Sequence, residues 1–426
     1  MTIRGIEPAK APIHAEFHAV PSKSATHRAL VAAALAEGVS TIKGPLDAWD
    51  TRVTLAGIRA LGVPVDERDG AWIVHGASGQ LPGGAAIELG ESGTSARFLT
   101  ALAALGRRSS TLDGGGRLRE RPIAELITAL GSLGAAVEAA NATAFPVSAG
   151  GASVRGGEVT LSGARSSQFA SALLLAACAF ERGLRLSVQP PRVSFAYVSL
   201  TVEMLERFGA VVTREDGACF SVAPQRLEAK TLTVEGDHSA ASYLFAAAAI
   251  VGGSVRILGL DPRSLQPDVR FLGDLQSLGC RVVADAEGVV VEGSGRVPAF
   301  SWDLADAPDL APTAAVLALF AEGPCVLSGL HHLAFKESDR LAVLRNNLEL
   351  LGAEVRVTAG TLAIVPPRRG ASRAARIEVS GDHRIAMAFA VAGLALPGVT
   401  IDEPDAVAKS YPRFWDDFAR LVRTGS

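Results

Sequence analysis

The sequence predicts an α/β protein in two domains, built from six β-α-β-α-β-β repeats with three in each domain. Three observations predict it. Segments with a polar start, a run of small apolar residues and a closing glycine recur roughly every 70 residues. Amphipathic segments that also end in glycine alternate with them. Short β-type runs follow the amphipathic segments.

In chain order, the first apolar segment is "SKSATHRALVAAALAEG" from Ser22, followed by the amphipathic "TRVTLAGIRALG" (Thr51–Gly62). The second pair is "GTSARFLTALAALG" from Gly93 and "ERPIAELITALGSLG" (Glu120–Gly134). The third is "SSQFASALLLAACAFERG" from Ser166 and "YVSLTVEMLERFG" (Tyr197–Gly209), with "AVVT" after it. The fourth is "GDHSAASYLFAAAAIVGG" from Gly236 and "DVRFLGDLQSLG" (Asp268–Gly279). The fifth is "APDLAPTAAVLALFAEG" from Ala307 and "ESDRLAVLRNNLELLG" (Glu337–Gly352), with "AEVRV" after it. The sixth apolar segment is "GDHRIAMAFAVAGLALPG" from Gly381. The apolar segments are hydrophobic nearly all round, which predicts buried helices. Six such units make too large a core for one layer set, so the chain divides in two, with its midpoint near Leu232–Ser242. The strand-like pieces "IRGIEPAK" and "IHAEFHAV" precede the first repeat and are expected to pair with the far half.

Composition narrows the function. The chain has 426 residues, 48% of them hydrophobic, with Lys+Arg 41 against Asp+Glu 44. This near balance argues against a nucleic-acid or membrane-surface protein. Cys178, Cys219, Cys280 and Cys325 have no CxxC spacing, so buried thiols are expected rather than a disulfide framework or zinc site. The first residues show no signal-type apolar run, and no uncharged apolar stretch reaches the roughly 18–20 residues that span a bilayer. A soluble cytoplasmic protein is expected.

The chemistry is expected at the polar helix starts. A helix N-terminus presents unpaired N–H groups and the positive end of the macrodipole, and so attracts anions. These starts also carry cations: Lys23 and Arg28, Arg97, and His383 with Arg384. Lys23 and His27, like Ser24 and Arg28, are four apart and share a face if helical. Ser22, Thr94, Ser166 and Asp382 are equally well read as ordinary N-caps. Arginine and lysine are donors only and cannot cap in that way. Further cations stand in "DGGGRLRERPIAEL" (Arg117, Arg119, Arg121), in "FKESDRLAVL" (Lys336 and Arg340 on one helical face, with Glu337 three residues from Arg340) and in "AKSYPRFW" (Lys409). The bland reading of the first is a solvated charge run and of the second a surface i,i+4 charge ladder; Lys409 alone means little.

Taken together, "SKSATHRAL", "SGTSARFLTALAAL", "DGGGRLRERPI", "SSQFASALLLAA", "VEGDHSAASYLFAAAAI", "APDLAPT", "KESDRLAVL", "GDHRIAMAF" and "AKSYP" resemble the 5-enolpyruvylshikimate-3-phosphate synthase family in order and spacing. The resemblance covers nearly the whole chain. It implies two inside-out α/β domains: residues 1–20 with 237–426, and residues 21–236, with the active site in the cleft between them. It implies enolpyruvyl transfer from phosphoenolpyruvate to the 5-hydroxyl of shikimate 3-phosphate, by addition and then loss of phosphate. The partners implied are those two small molecules, with no nucleic acid, membrane, metal or organic cofactor, and a monomer.

Residue by residue, the resemblance assigns shikimate 3-phosphate to Lys23, Ser24, Arg28, Ser166, Ser167, Gln168, Ser194, Tyr197, Asp309, His332 and Lys336. It assigns phosphoenolpyruvate to Lys23, Gly93, Arg121, Gln168, Arg340, Arg384 and Lys409. Asp309, near the 5-hydroxyl, and Glu337, near the methylene, would handle protons, with Lys23 a further candidate donor. A multiply charged donor and a phosphorylated acceptor need many cations to approach each other. Addition and elimination need an acid/base on carbon and one on oxygen. Structurally, Asp309 could instead cap the following helix and Glu337 simply pair with Arg340.

The chain departs from the family pattern at Pro21 (usually Gly), Glu91 (Asn), Phe98 (Pro), Ser199 (acidic) and His332 (Asn). Glu91 brings a negative charge toward an anion site, which pairing with Arg97 or Arg121 would offset. Two enzymes of related fold are alternatives. The carboxyvinyltransferase acting on UDP-N-acetylglucosamine usually carries a loop cysteine, and "DGGGRLRERPI" has none. An RNA 3′-phosphate cyclase would want a basic face. A non-catalytic anion-binding homologue is suggested by Glu91 and opposed by Lys23, Asp309 and Glu337.

Overall fold

The computed structural model describes residues 2–10, 12–141, 144–368 and 371–423. The chain forms two compact units, one of Pro21–Val234 and one of Met1–Val20 with Glu235–Ser426. Among the described residues, each holds three small sheets wrapped around buried helices.

In the continuous unit, strand Ala86–Glu88 runs parallel to Ser110–Asp113, with Ile87 opposite Leu112. Parallel neighbours need a crossover, and helix Gly93–Ala104 supplies it. Helix Ala124–Ser132 follows, and the hairpin Val137–Ala139/Val147–Ala149 closes the sheet antiparallel. Strands Gly157–Ser162, Leu184–Gln189, Val212–Arg214 and Cys219–Val222 repeat this order around helices Ser167–Ala177 and Ala196–Arg207. The remaining sheet takes its first strand, Thr231–Thr233, from the end of the unit; it pairs parallel with Glu37–Lys43.

The discontinuous unit closes in the same way. Ile13–His18 pairs parallel with Gly253–Leu258, Phe17 opposite Ile257. Ile3–Gly5 lies antiparallel to Thr400–Asp402. The strand-like pieces at the start of the chain thus do pair with the far half. The last repeat differs from the six-fold pattern. Its sheet, Ile3–Gly5, Thr400–Asp402 and Arg376–Ile377, has three strands. Ile3–Gly5 occupies the edge where the other sheets place a hairpin, and the chain continues into helix Phe414–Arg423.

Two kinds of helix are present, as their composition requires. Lys23–Leu35, Gly93–Ala104, Ser167–Ala177, His238–Val251, Ala311–Leu319 and His383–Gly393 are buried on nearly every side. Alanine at most facing positions lets their backbones pack closely at little side-chain entropy cost. Trp49–Ala60, Ala196–Arg207 and Arg340–Leu350 bury one face only. The glycine ending the last of these, Gly352, has φ +101°, and its N–H bonds the Glu349 carbonyl. A side chain there would be strained.

One expected helix is shorter than its pattern. Lys336 and Glu337 do not lie on the helix of Arg340. Asp339 caps that helix by accepting from the Ala342 N–H, so it begins at Arg340 after the 3₁₀ turn His331–Phe335. Among the described residues, no helix is long and apolar enough to cross a membrane.

Candidate active site

The candidate residues form two clusters, one in each unit. In the discontinuous unit, Arg340 opens its helix and is fully buried at 0% exposure. Its Nε donates to Asp382 Oδ2 at 2.8 Å and its Nη2 to Asp382 Oδ1 at 3.2 Å. Nη2 also donates to Glu337 Oε2 at 2.7 Å, and Nη1 lies 3.4 Å from Asp309 Oδ1. Arg384 donates from Nη2 to Asp309 Oδ2 at 2.7 Å, and its Nη1 lies 3.4 Å from the Tyr243 hydroxyl. Lys336 Nζ is 3.7 Å from Asp309 Oδ1. Lys409 Nζ donates to the Gly381 carbonyl at 2.9 Å, just before the helix carrying Arg384.

Asp309 is therefore no helix cap. It sits in the 3₁₀ turn Pro308–Leu310 and is gripped by three cations. Burial alone would raise its carboxyl, but Arg384, Lys336 and Arg340 outweigh burial and hold it well below the usual carboxylate range. Glu337 does pair with Arg340, as its structural reading required, and still belongs to the Asp309 cluster. Asp382 is the helix cap expected, accepting from the Arg384 N–H at 3.0 Å, and at the same time the main counter-charge of Arg340. His332 is buried and, among the described residues, neither ring nitrogen has a hydrogen-bond partner. Burial, then Lys336 and His331, lowers its pKa to about 3, so the ring is neutral.

In the continuous unit the cations are held differently. Arg28, 2% exposed, donates to Thr201 Oγ1 at 2.8 Å and to the carbonyls of Ser24 at 3.0 Å and Tyr197 at 3.1 Å. Its Nη2 lies 3.4 Å from Ser171 Oγ. Its guanidinium carbon stands 5.4 Å from the Phe98 ring centre and 5.9 Å from that of Tyr197. Phe98 thus gives the buried cation a π face. Among the described residues, no carboxylate pairs with Arg28. Burial lowers its pKa to about 10.

Lys23 lies in the first turn of the same helix and donates to Asp50 Oδ2 at 3.0 Å. Gly93 begins the next buried helix, and any Cβ there would overlap the Arg121 guanidinium. The glycine leaves room for the guanidinium where it lies; no positive φ calls for it. Arg97 donates to the Gly93 carbonyl at 2.9 Å and the Pro122 carbonyl at 2.7 Å, strapping the Arg121 segment to that helix. Arg119 pairs at the surface with Asp113 and Arg117 approaches Glu120, so of the three arginines only Arg121 is buried. Glu91 lies against Gly116, where a Cβ would meet its carboxylate.

Ser22 and Ser166 cap their helices, accepting from Ala25 and Gln168 N–H. Thr94 does not cap. It lies inside its helix and accepts from Gln168 Nε2 at 3.1 Å, while Ser92 holds the cap position. Ser167 and Ser194 are buried, and Ser194 has φ +54°. Tyr197 joins this group through its carbonyl and ring.

Sequence reasoning missed Asp50, Tyr243, Ser171 and Thr201, and weighed Asp382 as a cap or a ligand contact without its pairing to Arg340. Ser171 and Thr201 lie four residues beyond Ser167 and Tyr197, a helical spacing that could have flagged them.

Comparison with known proteins adds the chemical context. The profile of the family described as EPSP synthase (3-phosphoshikimate 1-carboxyvinyltransferase) matches residues 8–418. A 3-phosphoshikimate 1-carboxyvinyltransferase of Methanoculleus marisnigri is 42% identical over 409 residues, covering 95% of this chain and 96% of the relative. One of Syntrophobacter fumaroxidans is 42% identical over 415 residues, covering 96% and 97%. A solved EPSP synthase from Acinetobacter baumannii superposes with a TM-score of 0.81 at 27% identity, covering 99% of this chain and 98% of that one.

Proposed function

We propose how the two clusters divide the work from the premise that this chain belongs to the EPSP synthase family. Its reaction is that of a 3-phosphoshikimate 1-carboxyvinyltransferase in the shikimate pathway. The 5-hydroxyl oxygen of shikimate 3-phosphate adds to C2 of phosphoenolpyruvate as C3 takes a proton. The ketal then loses phosphate, and C3 gives up a proton to form the enol ether.

The observation that carries the assignment is Asp309, gripped by Arg384, Arg340 and Lys336. In the free protein these cations keep it ionised and a weak base. An incoming phosphoenolpyruvate is itself an anion and competes for Arg340, Arg384 and Lys409. As they turn to the substrate, Asp309 loses counter-charge and gains proton affinity, and so accepts the 5-hydroxyl proton. Glu337, on the other side of Arg340, serves the methylene carbon. Lys23, Gly93, Arg121 and Gln168 complete the phosphoenolpyruvate contacts. Ser24, Arg28, Ser166, Ser167, Gln168, Ser194 and Tyr197 take shikimate 3-phosphate, with Lys23, Asp309, His332 and Lys336 reaching it as well. The uncompensated Arg28 fits a multiply charged ligand in that cluster. The enzyme works as a cytoplasmic monomer.

The test is phosphate release from phosphoenolpyruvate with shikimate 3-phosphate or with UDP-N-acetylglucosamine as acceptor. Release with the first alone is expected. Asp309→Ala and Glu337→Ala should each lose about 10²–10⁴-fold in turnover while still binding shikimate 3-phosphate by calorimetry. Near-normal turnover in either removes that residue from proton transfer.

A further inference from the structure

Asp50 has no place in the roles given above, yet it is a carboxylate only 6% exposed at the centre of a polar chain. It lies in the first turn of helix Trp49–Ala60. Its Oδ2 accepts from Lys23 Nζ at 3.0 Å. Its main-chain carbonyl accepts from Ser95 Oγ at 3.0 Å. Ser95 Oγ is also 2.7 Å from Ser92 Oγ and 2.8 Å from Thr54 Oγ1, and Thr54 Oγ1 is 2.7 Å from His27 Nδ1.

The proton directions follow from counting. A hydroxyl has one proton and two acceptor sites. Ser95 gives its proton to the Asp50 carbonyl, so Ser92 and Thr54 must both donate to Ser95. Thr54 then accepts from His27 Nδ1–H. Burial, with Lys23 and Arg28 nearby, keeps His27 neutral, and the chain then places its one ring proton on Nδ1. The three helices that begin at Lys23, Trp49 and Gly93 are thereby tied together at their N-terminal ends.

We propose that Asp50 is a positioning residue, its carboxylate aiming Lys23 while its carbonyl, through Ser95 and Ser92, holds the Gly93 helix start in register with that lysine. The proposal rests on Lys23 and Gly93 serving phosphoenolpyruvate. It gives one residue control over the relative placement of a cation and a helix N-terminus that meet the same anion. A difference of about 1 Å in such placement costs roughly 10²-fold in rate.

The test uses the full chain saturated with shikimate 3-phosphate and titrated calorimetrically with phospholactate, the saturated and unreactive analogue of phosphoenolpyruvate. This readout needs no turnover. Asp50→Asn keeps size and backbone while removing the charge, and should weaken phospholactate about tenfold to hundredfold. In a Lys23→Gln background the same change should cost less than about twofold, because the side chain it acts through is gone. Asp50→Glu should recover part of the loss. An unchanged affinity in Asp50→Asn overturns the proposal. So does an equal loss with and without Lys23, which would mark Asp50 as merely structural. If Lys23→Gln alone leaves phospholactate binding intact, it is the assignment of Lys23 that fails. Melting curves of every variant keep unfolding apart from these outcomes.

Discussion

Arg28 and Arg340 are both buried arginines, one in each unit, and they are held by opposite means. Arg340 meets Asp382, Glu337 and Asp309, and these carboxylates more than offset burial, raising its pKa. Arg28 meets hydroxyls, carbonyls and aromatic faces, and burial lowers its pKa to about 10. The first cluster is internally neutralised. The second keeps a positive charge that, among the described residues, no carboxylate offsets.

The sharpest way to break this contrast is to delete each cation. Arg340→Met strands buried carboxylates and should cost about 3–5 kcal/mol of stability in urea unfolding. Arg28→Met strands only neutral groups. Its main effect should be on shikimate 3-phosphate affinity by calorimetry, about tenfold to hundredfold weaker. Equal losses of stability in the two would mean that the carboxylates around Arg340 contribute nothing special.

A pH series sharpens the picture of the neutralised cluster. His332, faced by Lys336, His331, Asp309 and Arg340, has its pKa lowered from 6.5 to about 3. Between those values the unfolded chain binds the proton and the folded chain does not. Stability therefore falls as pH drops through this window, by at most about 1.4 kcal/mol per pH unit from this group. His332→Asn should flatten that part of the melting-temperature profile relative to the parent. An identical slope would place the titration elsewhere.

The smallest effect compares two caps in one unit. Asp237 and Asp382 occupy the same position before their helices and both accept main-chain N–H bonds. Asp237→Ala should cost about 1 kcal/mol, the worth of a cap. Asp382→Ala should cost more in the same thermal melts, because Arg340 loses its main counter-charge too. Matching costs would reduce Asp382 to a cap after all.

What could be read from the sequence follows the range of the interactions. The buried helices were legible because alanine, leucine and terminal glycine are local signals. The extent of the Arg340 helix was not, because Asp339 is an equally local cap masked by the favourable residues before it. The cations were legible as types, since few structural roles suit lysine and arginine at a helix start. Their partners were not. Thr201 is 173 positions from Arg28, and Asp309 is 75 from Arg384. Glycine at position 93 could be marked as a site residue, but only packing shows that Arg121 fills the space a side chain would need.

The pairing of Ile3–Gly5 and Ile13–His18 with strands far down the chain bears on how the protein is made. Residues 21–234 form a unit whose every strand partner lies within that stretch. It has all its strand partners once residue 234 has left the ribosome. Ile13–His18 must wait for Gly253–Leu258, and Ile3–Gly5 for Thr400–Asp402. Ile3–Gly5 therefore stays unmatched until synthesis is nearly finished. Whatever shields nascent chains from association has its work at the first twenty residues, which are also the last to find their place.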